Sequence, residues 1–234
     1  MNDFLTSIIN WSEVWSLLIP LTIIGLYKPT GKNIQPLVLY IFIALVLNTM
    51  ATIMVEFYFS MPSWLKNNNI LYNIHSFIRV LIFGWYIIRI RQYRFPAILK
   101  IILLIYLLFV ISNFIFIESP LYISSRLFAA ESVILLILSL SFFFRSMQDD
   151  SEMNWLKHPA FLVCTGIILY EATSFFIFLF FYPLVEKNKE FGDLTMSIHN
   201  VMYIILCIML SLAFYRSRKQ KQIKAGSLQY PLYK

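Results

Sequence analysis

Seven apolar stretches dominate the chain, at about residues 8–27, 34–56, 70–88, 101–117, 121–144, 159–182 and 194–215. At about 1.5 Å rise per residue, a helix needs about 20 residues to cross the hydrocarbon core of a bilayer, and each run is close to that length. Inside a bilayer no water pairs with backbone N–H and C=O groups, so a chain of this kind crosses as helices that satisfy themselves. The pattern predicts an all-α integral membrane bundle of seven transmembrane helices, followed by a basic tail at 216–234. The 234 residues leave no space for a separate soluble domain.

Composition agrees, with 59% hydrophobic and only 13% charged residues against about 25% charged in soluble domains. The net charge of +7, from 19 Lys plus Arg against 12 Asp plus Glu, does not point to nucleic acid. The basic residues lie in short segments between apolar runs and in the tail, where they meet anionic lipid headgroups and set orientation. Fourteen lie on the side of the C-terminus, including Lys28, Lys32, Arg89, Arg145 and the tail from Arg216 to Lys224, and three on the other side. That bias predicts an N-terminus outside and a cytoplasmic C-terminus. The expected location is the cytoplasmic (inner) membrane of a bacterium. No basic segment precedes the first run, which is therefore read as a retained helix rather than a leader, kinked at Pro20.

A faint internal repeat runs through the chain. Ile74-His75 in the third run matches Ile198-His199 in the seventh at an offset of 124, and Pro36 matches Pro159 at 123. Glu13 lies against Glu131 at 118. Three helices, a linking fourth and three more give a 3+1+3 parallel repeat. In topology this resembles the small sugar transporters and the seven-helix opsins. The last run contains no lysine for a retinal Schiff base, and the second opens Ile34-Gln35-Pro36 rather than with a Pro-Gln pair. Neither family is assigned.

Ionisable side chains in hydrocarbon cost at least about 2.5–3.5 kcal/mol at a helix centre, so each one calls for an interior position and a partner. Glu13, Arg79, Glu131, Glu171 and Arg126 fall within the runs, with His75 and His199 as titratable rings. Counted along the helices, they lie at or outside the bilayer midplane, which describes a polar pocket open to the outside. Residues three or four apart share a face. His75 with Arg79, Asn48 with Thr52 and Glu56, His199 with Tyr203 and Cys207, and Glu171 with Ser174 are thus expected to line it. The candidate ligand- or ion-binding set is Glu171, Arg79, Glu131, His75, His199, Asn48, Tyr203 and Glu13. Arg79 is expected to pair with Glu131 or Glu171, whereas Arg126, five residues from Glu131, turns outward. The competing reading is that these charges only neutralise one another and fix helix packing.

No catalytic constellation is present: there is no GxSxG, no phosphate-cradling glycine loop, and only six glycines in all. His158 lies on the opposite side of the membrane from His75 and His199, so a three-histidine metal site is not expected, and no cofactor is implied. Cys164 and Cys207 are expected as buried free thiols. Trp11, Trp15, Trp64, Trp85 and Trp155 fall near run ends, as interface anchors do. The expected partners are the lipid bilayer, a small-molecule or ion ligand, and a cytoplasmic protein reached through the basic tail.

Overall fold

The computed structural model describes residues 3–29, 31, 33–60, 62, 67–90, 96–148, 158–187 and 189–228. Among them every regular element is helical: α1 (Asp3–Asn10), α2 (Ser12–Trp15), α3 (Leu18–Tyr27), α4 (Gln35–Glu56), α5 (Asn69–Ile90), α6 (Pro96–Phe116), α7 (Ser125–Met147), α8 (Pro159–Lys187) and α9 (Lys189–Leu228), with a short 3-10 turn at Tyr58–Ser60. Five helices, α4, α5, α7, α8 and α9, contain segments long and apolar enough to cross a membrane, an architecture compatible with a multi-pass, membrane-embedded chain. Two further apolar segments, Ser12–Tyr27 and Lys100–Phe116, are shorter. Trp64, Trp155, Lys32, Arg91, Arg94 and the last six residues of the tail lie outside the described residues.

The helices form a closed ring. In order round it, α9 packs on α8, α8 on α7, α7 on α5, α5 on α4, α4 on α2 and α3, and α3 back on α9. Helix α6 stands outside, against α5 and α7, and turns Ile101, Leu104, Ile105, Leu108 and Ile115 outward. Two close approaches fix the packing. A Cβ on Gly166 would lie 2.9 Å from Met209 Cβ of α9, and one on Gly84 would lie 2.9 Å from Leu103 Cδ2 of α6.

Helix ends follow local chemistry. Lys28 takes the left-handed conformation (φ 43°) with its N–H on the Ile24 carbonyl, and Pro29 follows, so α3 stops there. The fifth run begins later than its apolar pattern suggests, because Ser124 caps α7 by accepting from the Leu127 N–H at 3.1 Å. The residues before it form a tied loop: Asn73 of α5 donates to the Pro120 and Tyr122 carbonyls and accepts from the Ser124 N–H.

Candidate functional site

The first run is not one kinked helix but three short ones. Pro20 has no N–H for the Ser16 carbonyl, and its ring crowds that carbonyl. Ser16 O therefore accepts from Ile19 at 3.2 Å, and the Leu17 N–H turns to Val14 O at 3.2 Å. The break thus falls at Ser16 and Leu17, ahead of the proline itself. This releases the Glu13 carbonyl, which accepts from Asn48 Nδ2 of α4 at 3.1 Å. One turn earlier, the Ile9 carbonyl accepts from Ser12 Oγ and from Asn200 Nδ2 of α9, and Ile8 O accepts from the Trp15 indole. Neighbouring side chains thus satisfy the irregular backbone.

Arg79, near the middle of α5, meets both expected carboxylates. Its Nε donates to Glu131 Oε1 of α7 and lies 3.8 Å from Glu171 Oε1 of α8. Ser76, one turn before Arg79, donates to Glu131 Oε2, and Ser132 of α7 donates to Glu171 Oε2 at 2.8 Å. Glu171 Oε1 accepts no hydrogen bond among the described residues. One guanidinium thus faces two carboxylates, all three almost fully buried. The triad joins α5, α7 and α8.

Arg79 Nη1 donates to the Tyr170 hydroxyl at 2.7 Å, with its guanidinium 4.8 Å from the centre of that ring. From Tyr170 a directional chain follows. Ser174 spends its only hydrogen on the Tyr170 carbonyl at 2.8 Å, so at 3.1 Å from His199 Nδ1 it accepts. His199 therefore carries its proton on Nδ1, and Nε2 accepts from the Tyr170 hydroxyl at 3.1 Å. Glu171 and Ser174 share a helix face but not a bond: Ser174 serves His199, and the serine on Glu171 comes from α7. His75 sits in a parallel setting on α5, its Nε2 3.3 Å from the hydroxyl of Tyr40, whose ring stacks on it.

These groups surround a cavity of about 430 Å³ at one end of the ring, framed by the N-terminal ends of α5, α7 and α9, the C-terminal ends of α4 and α8, and the broken first run. Of the expected set, Glu13, His75, Arg79, His199 and Tyr203 line it. Glu131 and Glu171 stand behind Arg79. Asn48 is buried beside the wall, where its amide also donates to the Tyr203 hydroxyl at 3.3 Å. Thr52 and Glu56 line the cavity as their spacing suggests. Cys207 does not; it lies 3.5 Å from Ser16 Oγ, and both cysteines are buried free thiols. Arg126 is exposed and, 3.5 Å from Glu118, has an ion-pair partner from the preceding loop.

The sequence reading passed over Ser76, Ser132, Tyr170 and the lining role of Trp11. Ser76 carries a signal, one turn from Arg79 on the same face; Tyr170 carries none, being one of 14 tyrosines. Among the described residues no group of three His, Cys, Asp or Glu side chains is placed to hold a metal ion. Compared with protein-family models, with curated proteins and with solved structures, the chain matches none of them.

Proposed function

We propose that this chain is a seven-crossing protein of the bacterial cytoplasmic membrane, with its N-terminus outside, that binds and transports a small solute or ion. The observation that carries this reading is the cavity built where a membrane helix breaks, walled by Arg79 and backed by two buried carboxylates. Secondary transporters place their sites at discontinuous helices in the same manner. Arg79 serves as the charge-compensating group, Glu131 as its fixed partner, and Glu171, whose Oε1 accepts no hydrogen bond among the described residues, as the proton or cation carrier. His75 and His199 act as gate groups at the mouth.

Three observations support seven crossings and a repeat. The first run follows α9 in constant register: Ile9 with Asn200, Ser16 with Cys207 and Tyr27 with Arg218 are all 191 residues apart. The short helices together thus keep pace with a full crossing. Round the ring the first three runs and the last three are each contiguous, and α6, the linker, stands outside, as a two-fold related pair of triplets requires. His75 and His199, matched in the repeat, each meet a tyrosine hydroxyl from the preceding helix.

The test is thermal stability of the purified protein in detergent against ions, sugars, amino acids and lipids at pH 5.5 and 7.5, with Glu171→Gln alongside. Binding to the folded state stabilises by about 2.7 kcal/mol at a hundredfold excess over Kd. A stabilising compound whose effect is lost in Glu171→Gln, and which then shows flux in liposomes, is the expected result. No stabilisation by any compound would sink the reading.

A receptor or accessory-subunit role is the second reading, favoured by α9 itself. It continues as helix for 13 residues past Tyr215, about 20 Å, and bears Arg216 and Arg218 on the way. Deleting Arg216 to Lys234 separates the two: a transporter keeps its flux, whereas a receptor loses its cytoplasmic output.

A further inference from the structure

The chemistry of the cavity wall narrows the ligand. Its positive charge comes from Arg79, whose Nε and Nη1 are committed to Glu131 and Tyr170 and whose charge is balanced twice over by Glu131 and Glu171. Both nitrogens of His199 are engaged, and His75 Nε2 is held by Tyr40. An anion entering here would find little uncompensated positive charge. The negative side is different. Glu13 and Glu56 both line the cavity, and among the described residues neither has a basic side chain within ion-pairing distance. Glu56 ends α4, so the partial negative charge of that helix terminus falls beside its carboxylate. The rest of the wall is rich in rings: Trp11, Tyr72, Phe128 and Phe178 line it, the last two stacked with centroids 4.5 Å apart.

Carboxylates and aromatic rings together form a wall that receives an organic cation. The carboxylates attract the charge, and the ring quadrupoles favour a diffuse, weakly hydrated ammonium over a compact metal ion. The volume of about 430 Å³ falls in the range of about 300–1,000 Å³ typical of small-molecule sites. Resting on the solute-binding reading above, we propose that the ligand is a small organic cation, an amine or quaternary ammonium, held by Glu13 and Glu56 against the rings of Trp11, Tyr72, Phe128 and Phe178.

The experiment is a titration of the full-length protein in detergent with tetramethylammonium chloride. Its controls are 3,3-dimethylbutan-1-ol, an uncharged alcohol whose neopentyl group has the shape of the probe, sodium acetate, and sodium chloride at matched ionic strength. Binding is read as a rise in unfolding temperature and as a change in tryptophan emission, since Trp11 lies in the wall. The ammonium probe is expected to stabilise the protein where the neutral and anionic compounds do not. Glu13→Gln is expected to weaken the response about tenfold or more. Glu56→Gln, at an exposed helix end where folding is not at stake, is expected to weaken it by a smaller factor. Stabilisation by the neutral alcohol or by acetate, but not by the ammonium, overturns the cationic assignment and leaves the cavity as a solute site. Equal responses in wild type and both variants also overturn it. Failure of these compounds and of the broad panel alike removes the solute-binding reading with it.

Discussion

The two ends of the ring are made by the same helices and bury different chemistry. On α5 the inward residues pass from Asn73, His75, Ser76 and Arg79 to Val80, Phe83, Tyr86 and Ile87; on α7 they pass from Glu131 and Ser132 to Leu135, Leu138 and Phe142. Helix α9 moves from His199 and Tyr203 to Leu206, Leu210 and Phe214, and α8, running the other way, from Val163, Cys164 and Ile167 to Tyr170, Glu171 and Ser174. The change takes one or two turns on these four helices, with Leu127 and Phe128 at the polar end and Ser139, Ser146 and Ser211 at the apolar end among the exceptions. In lipid, apolar packing holds helices together through close contact and shape, because lipid tails are as apolar as the side chains themselves. The polar end is held instead by hydrogen bonds and charge, and it encloses the cavity inside the ring, whereas the cleft at the apolar end lies on the outer face between α4, α5 and α6.

The largest effect is expected at the polar end. Arg79→Leu leaves two buried carboxylates with no counter-charge, and is expected to destabilise the protein by about 3–5 kcal/mol, read from unfolding in detergent. Replacing Arg79, Glu131 and Glu171 together by leucine removes the charges as a set and is expected to recover most of that loss while abolishing flux, since the proposed carrier Glu171 is gone. A triple variant that still shows flux would show that the triad serves packing alone.

At the apolar end close contact is the quantity to perturb. Gly166→Ala brings a methyl group against Met209 Cβ, which is fixed to the α9 backbone, and is expected to cost about 1–3 kcal/mol in the same assay. Gly84→Ala is the smallest change. It meets the tip of Leu103, which rotates away on the peripheral helix α6, and the gain in helix propensity offsets the adjustment, so stability is expected to stay within about 1 kcal/mol of wild type. Equal penalties for the two glycines would erase the distinction between a fixed helix pair, α8 with α9, and a loosely attached α6.

The long apolar helices were legible in the sequence because each carries its own signal in length and composition. The pairing of Arg79 with Glu131 was legible from the cost of an unpaired charge in hydrocarbon. Spacing along one helix told less, since it reveals which residues share a face and not what stands opposite. Glu171 finds Ser132 rather than Ser174, and Arg126 finds Glu118, for that reason. Pro20 marked the break in the first run, but the break lies at the carbonyl four residues earlier, and its position follows from hydrogen bonds that Asn48 and Asn200 bring from other helices. The order of helices round the ring, which places α6 outside, has no local signature.

On the proposed reading, one end of the bundle holds a water-filled site open to the outside and the interior of the other end is dry. Single cysteines placed at Thr52 and Met196, both in the cavity wall, and at Ile87 in the apolar end, in a background with Cys164 and Cys207 replaced by alanine, test it directly. A membrane-impermeant maleimide applied to intact cells is expected to label positions 52 and 196 and to leave position 87 unmodified. Labelling at 87, or none at 52 and 196, would contradict it.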